Sequence, residues 1–248
     1  MTDNLSINRK TEGSKSVLSK IRSELIANSD EKTKKAGERF FKETVTMYGI
    51  KSATVGEIAK ENFKAIKSLP KAEIFELCEE LWKSGYMEES FVACNWSYAI
   101  KKQYTPNDFS VFEKWVGTYL GNWASCDTLC NHTVGTFLEM YPEYLPELKR
   151  WAKSPNRWMR RAAAVSLIVP AKRGKFLEEV KELADIMLLD GDDMVQKGYG
   201  WMLKVASQAH QQDIFEFVMK NKFSMPRTAL RYAIEKMPQS LKALAMKK

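Results

Sequence analysis

Long apolar segments are missing from this chain, and their absence limits the classes of protein to which it can belong. No run of residues is long and apolar enough to span a bilayer, and the first residues, Met1–Ser6, lack the apolar stretch of a signal peptide. We therefore expect a cytoplasmic protein that does not act in a membrane.

Cysteine and histidine are scarce, with 4 and 2 residues respectively among 248. The spacing of the cysteines does not fit a disulfide framework, so we expect buried, reduced thiols. Cys126, Cys130 and His132 could be taken for metal ligands. However, no C-x₂-C pair accompanies them and His210 lies far downstream. We predict no metal site and no cofactor.

Signals for β-strands are also rare, since neither sustained β-branched alternation nor Asn-Gly hairpin turns occur. Apolar residues instead recur at helical spacing within Ile21–Ile26, Phe40–Val45 and Ile74–Leu81. Short polar segments separate the predicted helices. Two of them, Ser154–Asn156 and Asp190–Asp193, carry the Asn and Asp side chains that cap a first helical turn.

The predicted helices follow a repeat. Starts near Glu89, Arg157 and Asp193 imply a period of about 35 residues, which places a further start near Trp123. A period of this length is typical of stacked helix pairs. The sequence therefore predicts an all-α fold, an α-solenoid of HEAT-like helical repeats with one concave face. We expect residues 1–14 to be a flexible polar leader and residues 15–248 to form a single domain.

The charge of the chain favours a polyanionic partner. Lys+Arg number 39 against 31 for Asp+Glu, which gives a net charge of +8. Trp123 and Asp127 share one helical face, because residues four apart are neighbours on a helix. The repeat brings residues of successive helices together, so Arg161 and Trp201 are expected beside them. An acid among indoles and arginine suggests a site for a cation embedded in a polyanion.

One reaction fits this group of residues. A purine alkylated on its ring is positively charged, and cleavage of its N-glycosidic bond builds cationic character on the sugar. A fixed carboxylate such as Asp127 stabilises that charge and holds the attacking water. Indole faces attract polarised C–H groups, and arginine binds the flanking phosphates. No acid is needed for the leaving group, because the base departs neutral; an uncharged damaged base would need protonation.

Each of these residues also has a structural interpretation. Asp127 can be a capping or surface acid, the cations of Arg157–Arg161 can form a solvated face, and a helical Trp is often part of the core. Trp82, Trp96 and Trp115 are assigned to the core. Only the joint occurrence on one face of a repeat array favours the functional interpretation.

The same residues resemble those of the DNA alkylation repair family of HEAT-like repeat enzymes, the AlkD-type alkylpurine DNA glycosylases. The likeness extends from about Glu38 to Lys236. It is strongest in the three segments Asn122–Thr128, Trp158–Ala163 and Val195–Leu203. In these segments Trp123 and Asp127 match the family's Trp and catalytic Asp, Arg161 its DNA-gripping Arg, and Trp201 its second sugar-contacting Trp.

The resemblance implies a monofunctional glycosylase. Such an enzyme releases cationic N3- and N7-alkylpurines from duplex DNA in base excision repair, presses the sugar and backbone against its concave DNA-binding face, and does not flip the base. Phe40 stands where the family has a Tyr that contacts the lesion side, and Lys51–Thr54 replaces a Pro-containing turn. Both differences bear on lesion preference. The residues expected to contact DNA are Arg161, Phe40, Trp158, Lys197, Lys204, Arg227 and Arg231, the last two in the predicted last helix.

A second class of function remains open on the sequence alone. A HEAT-like module that binds nucleic acid or protein without catalysing a reaction would have the same excess of basic residues and the same architecture. Asp127 discriminates between the two, because a surface that only binds phosphates gains nothing from a central carboxylate. For the enzyme we expect a monomer, since catalysis needs one concave face.

Overall fold

The computed structural model describes residues 16–247 and divides the chain into two compact units, one ending at Thr105 and one beginning at Pro106. Both units are helical, and no β-strand occurs within residues 16–247. The predicted leader, residues 1–14, lies outside the described residues. The prediction of a single domain over residues 15–248 stays a prediction.

The first unit consists of helices joined by short turns. Residues 16–27 form α1, with Ile21 and Leu25 fully buried as the helical spacing predicts. The other helices are α2 (Glu31–Glu38), α3 (Ser52–Ile66), α4 (Lys71–Lys83) and α5 (Met87–Ala99), followed by the short 3₁₀ turn Lys101–Gln103. Helix α5 packs against α3 and α4, and the Trp96 indole donates to the Ala59 carbonyl at 2.9 Å.

The helix predicted over Phe40–Val45 is wrong. Helix α2 ends at Glu38, and the chain from there to α3 is irregular. Phe40 is 73% exposed, so its helical spacing did not reflect a buried face. The buried Glu88 carboxylate holds the segment, accepting hydrogen bonds from the backbone N–H groups of residues 48, 49 and 50 at 3.0, 2.8 and 3.1 Å. These bonds fix the end of the irregular segment, shortly before α3 begins at Ser52.

The second unit contains the remaining helices. They are α6 (Asp108–Tyr119), α7 (Trp123–Leu129), α8 (Gly135–Met140), α9 (Leu145–Trp151), α10 (Arg157–Val165), α11 (Ile168–Lys172), α12 (Leu177–Ile186), α13 (Asp193–Ala206), α14 (Gln211–Asn221), α15 (Arg227–Ala233) and α16 (Gln239–Met246). A wide π turn, Cys130–Val134, links α7 to α8, and the 3₁₀ turn Pro142–Tyr144 precedes α9. Arg227 and Arg231 therefore lie in α15, which is not the last helix.

The predicted repeat is present in this unit. Helices α7, α10, α13 and α15 begin at residues 123, 157, 193 and 227, so consecutive starts lie 34, 36 and 34 residues apart. The start expected at Trp123 is confirmed, whereas the start expected near Glu89 falls at Met87. Asn156 and Asp192 cap α10 and α13 as predicted, each accepting a hydrogen bond from a first-turn N–H.

Small residues allow the repeat helices to pack closely. Helix α10 packs against α7 and α13, and α13 packs against α15. A Cβ atom at Gly200 would lie 2.8 Å from both the Ala229 carbonyl oxygen and Tyr232 Cβ, so this crossing requires glycine. The predicted core residues Trp82, Trp96 and Trp115 are buried, and all four cysteines are buried free thiols.

Candidate active site

Asp127 occupies a well-defined position on α7. The side chain of Asn122 caps this helix, accepting from the Ser125 N–H at 2.9 Å, and Trp123 is its first residue. Asp127 follows one turn later on the same face and is 9% exposed. The π turn that begins at Cys130 interrupts the helix just beyond it, and such interruptions are frequent at functional sites.

A bidentate ion pair fixes the carboxylate of Asp127. Arg161 on α10 donates from Nε to Oδ1 at 2.9 Å and from Nη2 to Oδ2 at 2.8 Å. Its third nitrogen, Nη1, donates to the Met194 carbonyl of α13 at 2.5 Å. The guanidinium thereby joins three successive repeat helices, which confirms that the repeat brings Asp127 and Arg161 together.

Trp201 lies on the helix face that contacts this pair. Met194, Gly198 and Trp201 are spaced by four and three residues along α13, so they share one face. A Cβ atom at Gly198 would lie 3.3 Å from Arg161 Cγ. Trp123 and Trp201 are both partly exposed, whereas Asp127 and Arg161 are buried. The site is thus a recessed acid with a half-exposed indole on each of two helices.

Burial and pairing act on Asp127 in opposite directions. Burial raises the pKa of its carboxyl above the ordinary value, and the charge and hydrogen bonds of Arg161 oppose that rise. Burial also raises the pKa of the neighbouring Cys126 thiol, so this cysteine stays protonated. Asp127 is therefore harder to ionise than an exposed carboxyl, and Arg161 keeps its pKa from rising further.

The arginines of α10 do not form a solvated face. Arg157 pairs with Asp192, the cap of α13, with 2.8 Å between Nε and Oδ2. Arg160 pairs with Asp190, with 2.6 Å between Nε and Oδ2. Each arginine of this helix thus binds an acid from another repeat. Sequence analysis missed these acids, although their position before α13 was visible as a cap.

The structure places the other predicted DNA contacts at different depths. Trp158 is 7% exposed, and the Arg157 guanidinium lies 5.0 Å from its ring centroid. Lys197 pairs with Asp193 at 3.1 Å, and Lys204 with Glu235 at 3.0 Å. Phe40, in the first unit, is strongly exposed. The DNA-binding roles of these residues stay predictions.

A row of charged residues continues from Asp127 along the repeat helices. Asp127, Arg161, Lys197 and Arg231 are each the fifth residue of their helix, on α7, α10, α13 and α15. Arg231 is exposed, as is Arg227 one turn before it, and neither has an ion-pair partner among residues 16–247. In that region of the chain, no cluster of potential metal ligands is found either.

The fold and this site define a class of all-α proteins built from repeated helix pairs, an α-solenoid of HEAT-like type. The profile of the DNA alkylation repair enzyme family matches residues 21–237. The chain belongs to this family.

A solved structure of a predicted DNA alkylation repair enzyme from Enterococcus faecalis has the same fold. It superimposes with a TM-score of 0.76 at 17% identity, and the match covers 86% of this chain and 98% of that one. None of the curated proteins compared matches the chain. Within residues 16–247, no helix is long and apolar enough to cross a membrane.

Proposed function

We propose that this protein is a monofunctional DNA glycosylase that hydrolyses the N-glycosidic bond of cationic N3- and N7-alkylated purines in duplex DNA. The observation that carries the proposal is the Asp127 carboxylate, oriented by a bidentate guanidinium, with Trp123 on the same face of α7 and Trp201 on the face of α13 that meets Arg161. Family membership supplies the context of DNA alkylation repair.

The proposed reaction separates the base from its sugar in a simple exchange of bonds. The C1′–N bond breaks, and its electron pair returns to the ring, which neutralises the charge of the alkylated base. Positive charge develops at C1′, where a preorganised carboxylate is stabilising. The oxygen of a water molecule then bonds to C1′ and gives up a proton, which passes to solvent water by way of the Asp127 carboxylate. Asp127 would face the sugar and hold this water, since each of its oxygens retains a lone pair beyond those that Arg161 uses.

Recognition of the sugar and backbone fits this site better than recognition of an extruded base. A cavity of about 410 Å³ is lined by residues of α12 and α14, and one of about 600 Å³ lies beside α9 and the start of α10. Asp127, Trp123 and Trp201 line neither cavity. We propose that the lesion stays in the duplex while the partly exposed indoles of Trp123 and Trp201 contact its deoxyribose. We further propose that the protein acts as a monomer in the cytoplasm.

A binding module without chemistry is the second candidate. This candidate is supported by the hydrogen bonds that Arg161 donates to both oxygens of Asp127. An ion pair that serves only to join two helices would have the same geometry. In such a module the acid would weaken the attraction of the surface for phosphates. Removal of the charge at Asp127 would then strengthen DNA binding without changing any product.

Substitution of Asp127 distinguishes the two candidates. We expect Asp127→Asn to slow release of 7-methylguanine from duplex DNA by about a hundredfold, the effect of removing one preorganised electrostatic group. The exposed Asp213 on α14 offers a matched control, and Asp213→Asn should excise at the wild-type rate. Tighter DNA binding by Asp127→Asn at an unchanged yield of free base would establish the binding module instead.

A further inference from the structure

All three nitrogens of Arg161 are engaged within the protein, and the two N–H groups that remain belong to a buried side chain. Its Nε and Nη2 donate to Asp127 and its Nη1 to the Met194 carbonyl, and the residue is 5% exposed. An arginine that grips phosphate presents its planar fork to the ligand. Here the fork is turned inward, onto a carboxylate of the protein itself.

Gly198 supplies the space in which the guanidinium lies. A Cβ atom at this position would be 3.3 Å from Arg161 Cγ and 3.7 Å from its Nη1. It would also lie 3.7 Å from Cγ1 of Val165, one turn beyond Arg161 on α10. A Cβ atom at position 198 would therefore press on Arg161 Cγ, and the arginine would have to shift by a few tenths of an ångström relative to Asp127.

We propose that Arg161, seated against Gly198 and the Met194 carbonyl, is a positioning residue that orients the Asp127 carboxylate and does not bind DNA phosphates. The inference rests on the proposed function, because it assigns Arg161 a part in the same reaction. It also departs from the DNA-gripping role that the family resemblance implies for this position. Phosphate binding falls instead to exposed cations such as Arg227 and Arg231, which have no ion-pair partner within residues 16–247.

The salt dependence of DNA binding separates the two roles. Loss of one phosphate contact lowers the slope of log K against log salt concentration by about one. We expect Arg231→Ala to show this reduction. Arg161→Lys and Arg161→Gln should leave the slope and the affinity unchanged while slowing single-turnover base release by about tenfold or more, because a lysine cannot hold both carboxylate oxygens in one plane.

Gly198→Ala tests the same role without changing any charge. Displacement of Arg161 by a few tenths of an ångström should slow single-turnover release by about threefold to tenfold at unchanged DNA affinity. Gly117→Ala on α6 is the matched control. Its Cβ would meet only Met159 Sδ, at the ordinary contact distance of 3.7 Å, and it should release base at the wild-type rate.

Carbon-13 NMR of the carboxyl groups in the free protein supplies a readout that is independent of activity. Because Arg161 opposes the effect of burial, Arg161→Gln and Gly198→Ala should raise the pKa of Asp127 above that of the wild-type protein, whereas Gly117→Ala should not.

Two results would overturn the inference, and they are distinguishable. A salt slope reduced by about one in Arg161→Gln, with the rate at saturating enzyme unchanged, overturns the inference alone and leaves the glycosylase in place. Absence of base release by the wild-type protein overturns the proposed function, and the inference with it. Because Gly198→Ala keeps both charged residues, its rate and affinity decide the question even if the Arg161 variants do not fold.

Discussion

Asp127 is a buried acid whose surroundings make it costly to ionise. Burial shifts the pKa of its carboxyl upward even though Arg161 lies against both oxygens. A buried ion pair of this kind is a weak source of stability, since desolvation offsets much of the attraction between its members. Stability alone is therefore a weak reason for a charged pair at this position, whereas the proposed function requires the charged carboxylate.

The first prediction at this scale concerns pH. Excision requires ionised Asp127, so the rate should fall with decreasing pH through a raised pKa, above the ordinary value of 3.8. On the alkaline side of that pKa the rate should be flat, because no group has to protonate the departing base. A profile of single-turnover rate against pH measures both the acidic fall and the alkaline plateau. A rate that declines at high pH, as expected when a general acid loses its proton, would contradict the mechanism.

Stability should change in the opposite sense over the same range. A carboxyl whose pKa is raised on folding binds its proton more tightly in the folded state. Its contribution to the free energy of unfolding is therefore fully present below the unfolded-state pKa and is lost as pH rises through the folded-state pKa. Comparison of the wild-type protein with Asp127→Asn in urea unfolding at several pH values isolates this contribution.

At the scale of the element, two helices determine the geometry of the site. Helix α7 is short: it begins at the Asn122 cap and is followed at once by the π turn Cys130–Val134. Asp127 therefore lies close to both ends of the helix. Helix α13 approaches its neighbours through two glycines. Gly198 makes room for the Arg161 side chain, and Gly200 makes room for the backbone of α15.

The second glycine leads to a prediction on stability. In Gly200→Ala the new Cβ would lie 2.8 Å from the Ala229 carbonyl oxygen, so α13 and α15 must separate. We expect a loss of about 1–3 kcal/mol in the free energy of unfolding. Gly56→Ala on α3 is the control: nothing lies within 4 Å of its Cβ, and it should stabilise the protein by about 0.5–1 kcal/mol. Equal midpoints of denaturant unfolding for the two variants would refute the argument.

Much of this arrangement was predictable from local pattern. The caps at Asn156 and Asp192 follow from turn chemistry, and the start of α7 at Trp123 follows from the repeat period. Both can be read along the sequence without knowing which side chains meet in space. Phe40–Val45 misled the prediction, because apolar spacing alone does not show whether a face is buried. Local sequence pattern does not show which residue a charged side chain will pair with. Nothing near Arg161 in the sequence shows that its donors turn toward Asp127 and the Met194 carbonyl, or that Gly198 makes this possible.

At the scale of the whole molecule, the charge balance and the family agree on DNA as the partner. A net charge of +8 favours a polyanion, and the family profile covers residues 21–237. The identity to the Enterococcus faecalis structure is only 17%, so that comparison supports the fold and carries no statement about residues. Excision of a cationic base, if it occurs as proposed, depends on the chemistry of Asp127.

Release of free base from two matched duplexes tests that claim most directly. One duplex carries a single 7-methylguanine, whose base is cationic, and the other carries hypoxanthine, an uncharged damaged base. A site with a carboxylate and no leaving-group acid should release 7-methylguanine well above the spontaneous rate and leave hypoxanthine in place. Equal release of both bases, or no release of 7-methylguanine above the spontaneous rate, would contradict the account.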